Sequence, residues 1–88
     1  MAIQNPEVKA ELLRRLRRIE GQARGVARMI EQERECEDIL QQLSAIRAAV
    51  HKTSIQLMRS FAFECLQASQ ESPEELVEAL IKALSRVS

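Results

Sequence analysis

The 88-residue sequence contains no tryptophan, no tyrosine, two glycines, two prolines and two phenylalanines. So few glycines and prolines leave little turn chemistry, and a core without large rings must be built from aliphatic side chains. Apolar residues make up 45% of the chain and charged residues 30%, which excludes a disordered composition. The composition therefore predicts one all-α domain, spanning residues 1–88, that is made of long helices.

Long hydrophobic runs are also absent. No apolar stretch approaches the roughly 20 residues of a membrane span, and the N-terminal MAIQNPEVK lacks the apolar segment of a signal peptide. We therefore expect a cytoplasmic protein with no membrane partner. In a reducing compartment, two cysteines are expected to be metal-binding, redox-sensing or inert. The sequence has no acid–base constellation, phosphate loop or cofactor motif, which argues against an enzyme.

Two long helices are predicted in the first three quarters of the chain. Asn5 and Pro6 supply the N-cap and the first turn of the first helix, and an apolar heptad repeat then extends to Ile30. The acidic segment 31–38 contains the break. We place it near 33–37, although no Gly or Pro marks it. The second helix, near 30 residues long, follows and carries two apolar faces, which predicts packing against more than one neighbour.

A short third helix is predicted from a capping box. Ser72 can cap this helix, Pro73 suits its first position, and Glu75 completes the S-x-x-E pattern. The two long helices are expected to form an antiparallel hairpin, which buries little apolar surface by itself. We therefore expect two hairpins to dimerise into a four-helix bundle.

The net charge of zero conceals an uneven distribution. Residues 1–30 carry seven basic and three acidic side chains, whereas residues 31–38 carry five acidic and one basic. On a wheel of 100° per residue, five arginines of the first helix lie opposite the apolar seam, and Gly21 and Gly25 lie among them. Two interpretations stay open: a solvated arginine face, or a surface that a nucleic-acid backbone approaches closely. The arginines are Arg14, Arg17, Arg18, Arg24 and Arg28, with Arg15 and Gln22 toward the edge.

The two cysteines lie at opposite ends of the second helix. Cys36 and Cys65 are 29 residues apart, or about 43 Å at helical rise, whereas a disulfide needs Cα atoms within roughly 7 Å. In an antiparallel dimer, however, Cys36 of one subunit lies beside Cys65 of the other. Two interpretations remain open, namely a functional pair between subunits or two inert thiols of which Cys65 is a small buried apolar group.

Three segments resemble the copper-sensitive operon repressor (CsoR) family, and the resemblance extends over residues 8–85. They are RRLRRIEGQARGVARMIE (14–31), CEDILQQLSAIRAAV (36–50) and ECL (64–66). The resemblance implies a transcriptional repressor, a dimer of hairpins paired into a tetramer, that binds operator double-stranded DNA through the first two helices. Carried over to this chain, the DNA-binding residues are Arg14, Arg15, Arg18, Gln22 and Lys52.

The resemblance also implies that an inducer reacts at the cysteines and releases the DNA. Copper-sensing members have a histidine four residues before the second cysteine, where this chain has Phe61. Its only histidine, His51, lies ten residues earlier, some 15 Å along the helix. Members of the persulfide-sensing CstR-like branch keep both cysteines and lack that histidine, and this chain resembles them. The sequence therefore predicts a sensor of small sulfur-containing inducers at Cys36 and Cys65, without a cofactor.

The neighbours of this thiol site are predicted to be Phe61 and Glu64, and the rings of Phe61 and Phe63 are expected to shield one side. One alternative is a repressor that binds Cu(I) through two thiolates, Cys36 and Cys65. A second, of a different class, is a helical interaction protein that binds no DNA. A formaldehyde-sensing branch of the family has proline at position 2, where this chain has Ala2.

Overall fold

The computed structural model describes residues 2–68 and 72–87, and within them it contains three helices and no strand. These are α1 (Pro6–Glu31), α2 (Cys36–Ala68) and α3 (Pro73–Val87). The short connection makes α1 and α2 an antiparallel hairpin, and α3 packs against α2. The predicted all-α fold of two long helices and one short helix is confirmed. None of the described helices is long and apolar enough to cross a membrane.

The caps predicted from sequence form as expected. The side-chain oxygen of Asn5 accepts hydrogen bonds from the amides of Glu7 at 2.9 Å and Val8 at 3.3 Å. At α3, the hydroxyl oxygen of Ser72 accepts from the amide of Glu75 at 3.3 Å. These bonds satisfy amides that have no partner inside the helix, which fixes where α1 and α3 begin.

The break between α1 and α2 lies in the predicted segment and forms without glycine or proline. Glu33 adopts the left-handed backbone conformation, with φ of 55°. Its amide donates to the carbonyl of Ile30 at 3.1 Å, and the amide of Arg34 donates to the carbonyl of Met29 at 3.0 Å. This pair of bonds is the Schellman motif, which satisfies the last carbonyls of a helix. Because the left-handed conformation costs an L-residue about 1–2 kcal/mol, the turn forms against a local preference.

The chain is far more extended than a compact domain of its length. Its Cα atoms span 55 × 26 × 12 Å with a radius of gyration of 17.1 Å, against about 12 Å for a compact 88-residue domain. It exposes 7243 Å² of surface, against about 5,200 Å² for a compact monomer of this mass. The three helices therefore form a thin plate with little interior.

The core of this plate is small. Among the described residues, the buried apolar side chains are Val26 and Cys65 alone. The apolar seam of α1 is only partly buried within the chain. Val26 packs inward, whereas Leu16 and Ile30 are 47% and 59% exposed. Eleven large apolar side chains are exposed among those whose burial the structure describes: Leu13, Leu16, Ile30, Leu40, Leu43, Val50, Leu57, Phe63, Leu66, Val77 and Ile81.

Candidate nucleic-acid interface and thiol site

The residues predicted to bind DNA line a groove between α1 and α2. Arg15, Arg18 and Gln22 reach this groove from α1 and Lys52 reaches it from α2, around a cavity of about 400 Å³. The remaining described lining residues are apolar or small, and none is acidic: Ile19, Ala45, Ala48, Ala49 and Thr53. The alanines on α2 leave room for the long side chains of α1. The structure therefore brings four of the five predicted DNA-binding residues together.

Arg14, the fifth predicted residue, does not line this groove. It forms an ion pair with Glu11, which also accepts from the Nε of Arg15 at 3.1 Å. The hydrogen bond from Arg14, followed by the charges of Arg14 and Arg15, lowers the pKa of the Glu11 carboxyl below its ordinary value of 4.5, while burial acts in the opposite direction. Glu11 therefore stays ionised at neutral pH, and the ion pair is lost only as the pH falls through this lowered pKa.

Three arginines on the outer face of α1 are exposed, which agrees with both of the open interpretations. They are Arg17, Arg24 and Arg28. A Cβ added at Gly21 or at Gly25 would contact nothing within 4 Å. Packing within the described chain therefore does not require either glycine. A close approach by an outside group remains a prediction.

Two glutamines beside the groove have buried side-chain oxygens. The Oε1 atoms of Gln22 and Gln56 have no hydrogen-bond partner among the described residues. An unsatisfied buried acceptor costs about 1–3 kcal/mol.

The groove extends beyond the residues that sequence reasoning identified. Past Lys52 a second cavity, of about 480 Å³, is lined by Arg15, His51, Lys52, Ile55, Gln56 and Arg59. Sequence reasoning missed Arg59, although Arg59 lies seven positions after Lys52 and therefore on the same side of α2. The sequence suggests no role for His51 beyond its distance from the position of the copper sensors' histidine. The structure places it, exposed, among these basic side chains.

The two thiols are separated along one continuous helix. Cys36 is the first residue of α2 and is exposed, whereas Cys65 is buried near its end. About 43 Å of helix separates them, so a disulfide within the chain is excluded. At 100° per residue, the two cysteines project from α2 within an arc of about 80° that also contains Leu43, Val50 and Leu57. We call these five residues the apolar stripe; it lies on the side of α2 opposite Lys52.

Of the two phenylalanines, only Phe61 lies on the same side of α2 as Cys65. Phe61 precedes Cys65 by four residues and is half-buried. Phe63 is 61% exposed, and residues two apart on a helix point about 200° from each other. The prediction that Phe63 shields the thiol is therefore wrong. Phe63 lines a separate cleft of about 510 Å³ together with Glu64, which is half-buried.

The described residues contain no cluster of three His, Cys, Asp or Glu side chains that could hold a metal ion. Within one chain, the thiols at the two ends of α2 are the soft ligands, and Phe61 offers none where copper sensors have histidine. A site built from these residues must therefore combine Cys36 with Cys65 of a second subunit.

A flat helical hairpin with a basic groove on one side and thiols on the other defines a small all-α regulator. A family model described as "Metal-sensitive transcriptional repressor" matches residues 8–86. The chain belongs to this family, so the family membership expected from the sequence is confirmed.

Two relatives of the chain are named as copper-sensing repressors. The chain is 43% identical over 58 residues to the copper-sensing transcriptional repressor CsoR of Bacillus subtilis and 41% identical over 58 residues to the copper-sensing transcriptional repressor RicR of Mycobacterium tuberculosis. Each match covers 66% of this chain, but only 57% and 60% of those relatives.

The structure of the nickel-responsive transcriptional regulator InrS is similar over all of this chain and 98% of its own. The TM-score is 0.82 and the sequence identity 29%. The persulfide-sensing branch expected from the sequence stays a prediction.

Proposed function

We propose that the protein is a DNA-binding transcriptional repressor, acting as a homo-oligomer, that releases DNA when Cys36 and a partner subunit's Cys65 are joined. The observation that carries this proposal is the arrangement of α2. One continuous helix bears Lys52 in the basic groove on one side and both thiols on the other. A change of packing on the thiol side is therefore passed to the groove by the same helix.

The apolar stripe supports a dimer formed by two antiparallel α2 helices. Its members repeat at intervals of seven or eight residues and are symmetric about Val50 to within one residue. Placing Val50 against its own copy therefore places Leu43 against Leu57, and Cys36 against Cys65, twice per dimer. Such a self-complementary patch is what a two-fold interface requires. Pairing of two dimers into a tetramer is part of the same proposal.

The groove supports DNA binding because of its charge and its shape. Arg15, Arg18 and Lys52 are permanent cations that converge without an acidic lining residue in the part that the structure describes. Contacts of this kind bind the phosphate backbone and make affinity fall steeply with salt. Arginine and Gln22 can in addition reach base edges in the major groove.

One candidate inducer is Cu(I), which the copper-sensing relatives favour. Two soft thiolates suit this ion, and it accepts two ligands in a line. Because Phe61 provides no third ligand, the site would be two-coordinate. This candidate requires only that Cys36 and the partner subunit's Cys65 lose their protons when the ion binds.

The second candidate is sulfane sulfur from a persulfide, which the loss of the histidine favours. A thiolate of the pair attacks the donor, takes its outer sulfur and releases the donor's thiolate. The other subunit's thiolate then attacks the inner sulfur of this new persulfide, releases hydrosulfide and closes a disulfide. If a second sulfur is transferred first, the same attack closes a trisulfide.

The test is binding of the reduced protein to the DNA upstream of its own gene, followed by fluorescence anisotropy over a range of salt. We expect tight, salt-dependent binding that Arg15→Gln and Lys52→Gln each weaken about tenfold. Arg86→Gln on α3 removes the same charge at a residue that lines neither cavity of the groove, and it is the matched control. Binding that is absent, or insensitive to all three variants, would leave the helical interaction protein as the better interpretation.

The inducer is decided by adding a persulfide donor or stoichiometric Cu(I) anaerobically and measuring intact mass. Covalent dimers carrying extra sulfur, with DNA release, support the sulfur candidate. Bound copper in native mass spectra, with release but without a covalent bond, supports the copper candidate. Cys36→Ala and Cys65→Ala should each keep DNA binding and lose the response. A full response in either variant would contradict the thiol site.

A further inference from the structure

The groove between α1 and α2 continues past the residues already assigned to DNA. Beyond Lys52 it widens into the cavity of about 480 Å³ to which His51 and Arg59 contribute. The described lining residues include three permanent cations and one imidazole, but no carboxylate. Charged helix faces in solution usually carry both signs, so a four-residue concentration of basic groups in one concavity needs an explanation.

We propose that His51 and Arg59 form a second phosphate-binding position, continuous with Arg15 and Lys52. The identity of its ligand as DNA rests on the proposed function, whereas binding of phosphate groups does not. The position extends the interface toward the C-terminal end of α2, where no DNA-contacting residue was predicted from the sequence.

The spacing between Lys52 and Arg59 along α2 lets the two side chains contact different phosphates. Lys52 and Arg59 are seven residues apart, or about 10 Å along the helix axis. A DNA strand carries one charge per about 3.4 Å of its axis, so 10 Å covers about three phosphates. Arg59 therefore contacts a different phosphate from Lys52, which adds to the salt dependence of binding instead of duplicating a contact.

The charges around His51 favour an anionic ligand. Arg15 faces His51 from α1, and Lys52 and Arg59 line the same cavity from α2. Glu11 is the acid paired with Arg15. A phosphate oxygen in the cavity can accept hydrogen bonds from an imidazole N–H and from these cations.

A role for His51 at the thiols is excluded by distance. It lies 15 residues after Cys36 and 14 before Cys65, so about 21 Å of helix separates it from either end. Pairing α2 with its copy about Val50 leaves His51 near the middle of the bundle, still about 21 Å from every thiol.

The first experiment uses inorganic pyrophosphate and the reduced full chain, observed by NMR at the His51 ring and the arginine side-chain Nε–H groups. We expect saturable chemical-shift changes at His51 and Arg59. Arg86 should not shift. Shifts that avoid both His51 and Arg59 would overturn the proposal whatever the protein does with DNA.

The second experiment measures duplex DNA binding by four variants. Arg59→Gln should lower the slope of log affinity against log salt by about one, whereas Arg59→Lys restores it and Arg86→Gln leaves it unchanged. His51→Gln replaces the imidazole of the phosphate position and should weaken duplex binding.

The outcomes separate this inference from the proposed function. If the wild type binds DNA through Arg15 but the Arg59 and His51 variants match Arg86→Gln, the second phosphate position is wrong and the repressor remains. If pyrophosphate shifts His51 and Arg59 but no duplex is bound, the position stands and the DNA-binding function fails.

Discussion

The two sides of α2 differ in whether a single chain supplies all the side chains of the candidate site on that side. On the groove side, side chains from α1 and α2 already converge, and the cavity is shaped by residues of one subunit. On the stripe side, Leu43, Val50 and Leu57 are all exposed, and the two thiols lie a helix length apart.

This difference shows which part of the function can exist in one chain. A phosphate contact needs only a few cations held near one another, and the hairpin supplies them. A two-thiol site needs groups from both ends of α2, which only a second copy can bring together. Dimerisation is therefore expected to precede sensing but to be separable from the local geometry of the groove.

The largest effect is expected from a charge at the centre of the apolar stripe. Val50 is 45% exposed in the single chain, and in the proposed dimer it packs against its own copy. Val50→Glu would place two carboxylates opposite each other, and like charges in an interface cost several kcal/mol. We expect the dimer to weaken by at least about a hundredfold, measured by sedimentation equilibrium.

Leu66→Glu is the control for this prediction. Leu66 is 68% exposed and lies about 140° around α2 from the centre of the stripe. The same charge there should leave the dimer intact. If Val50→Glu remains as dimeric as Leu66→Glu, the two copies pack through another face and the pairing of Cys36 with Cys65 loses its basis.

A smaller effect is expected when a histidine is introduced on the side of α2 that carries the apolar stripe. Phe61→His places an imidazole one turn before Cys65, on the same side of α2, and adds a third ligand for Cu(I). We expect Cu(I) affinity to rise more than about tenfold, in competition with a chelator of known affinity. Phe63→His inserts the same group on the other side and should give no gain. Equal gains from both would mean that the copper does not lie at the Cys65 thiol.

On the groove side, removing an acid should strengthen DNA binding modestly. Glu11 holds the Nε of Arg15 at 3.1 Å, and exposed ion pairs contribute little to stability. Glu11→Gln frees Arg15 for phosphate and should raise DNA affinity by up to about fivefold, measured by anisotropy at low salt. Glu20→Gln removes the same charge elsewhere on α1. If Glu20→Gln raises DNA affinity equally, the change comes from net charge alone.

Local signals in the sequence were sufficient for the fold. Asn5 and Ser72 make the predicted caps, because capping is decided within a few residues. The acidic residues were enough to predict the break at 33–37. The left-handed conformation of Glu33 could not be predicted, because a Schellman motif usually has glycine at that position.

The residues of the candidate DNA interface could be predicted only where a sequence motif was enough to identify them. Arg15, Arg18, Gln22 and Lys52 came from a resemblance in the sequence, and the structure brings them together. Arg59 was missed because its role depends on which side of α2 faces the groove, and helical periodicity alone leaves this undecided when a helix has two apolar sides. The role of Phe63 was misjudged because adjacency in sequence was taken for adjacency on the helix.

The smallest effect concerns neither side of α2 but the turn that precedes it. Glu33 has φ of 55°, which glycine adopts without the penalty of a Cβ atom. Glu33→Gly should raise the free energy of unfolding by about 0.5–1 kcal/mol, because the relief exceeds the entropy that glycine adds to the unfolded chain. Gln32→Gly, at φ of −85°, relieves nothing and should destabilise the protein by a similar amount. Urea unfolding of both at one protein concentration measures the contrast. If both variants lose stability, the entropy that glycine adds to the unfolded chain outweighs the relief of the strained conformation at Glu33.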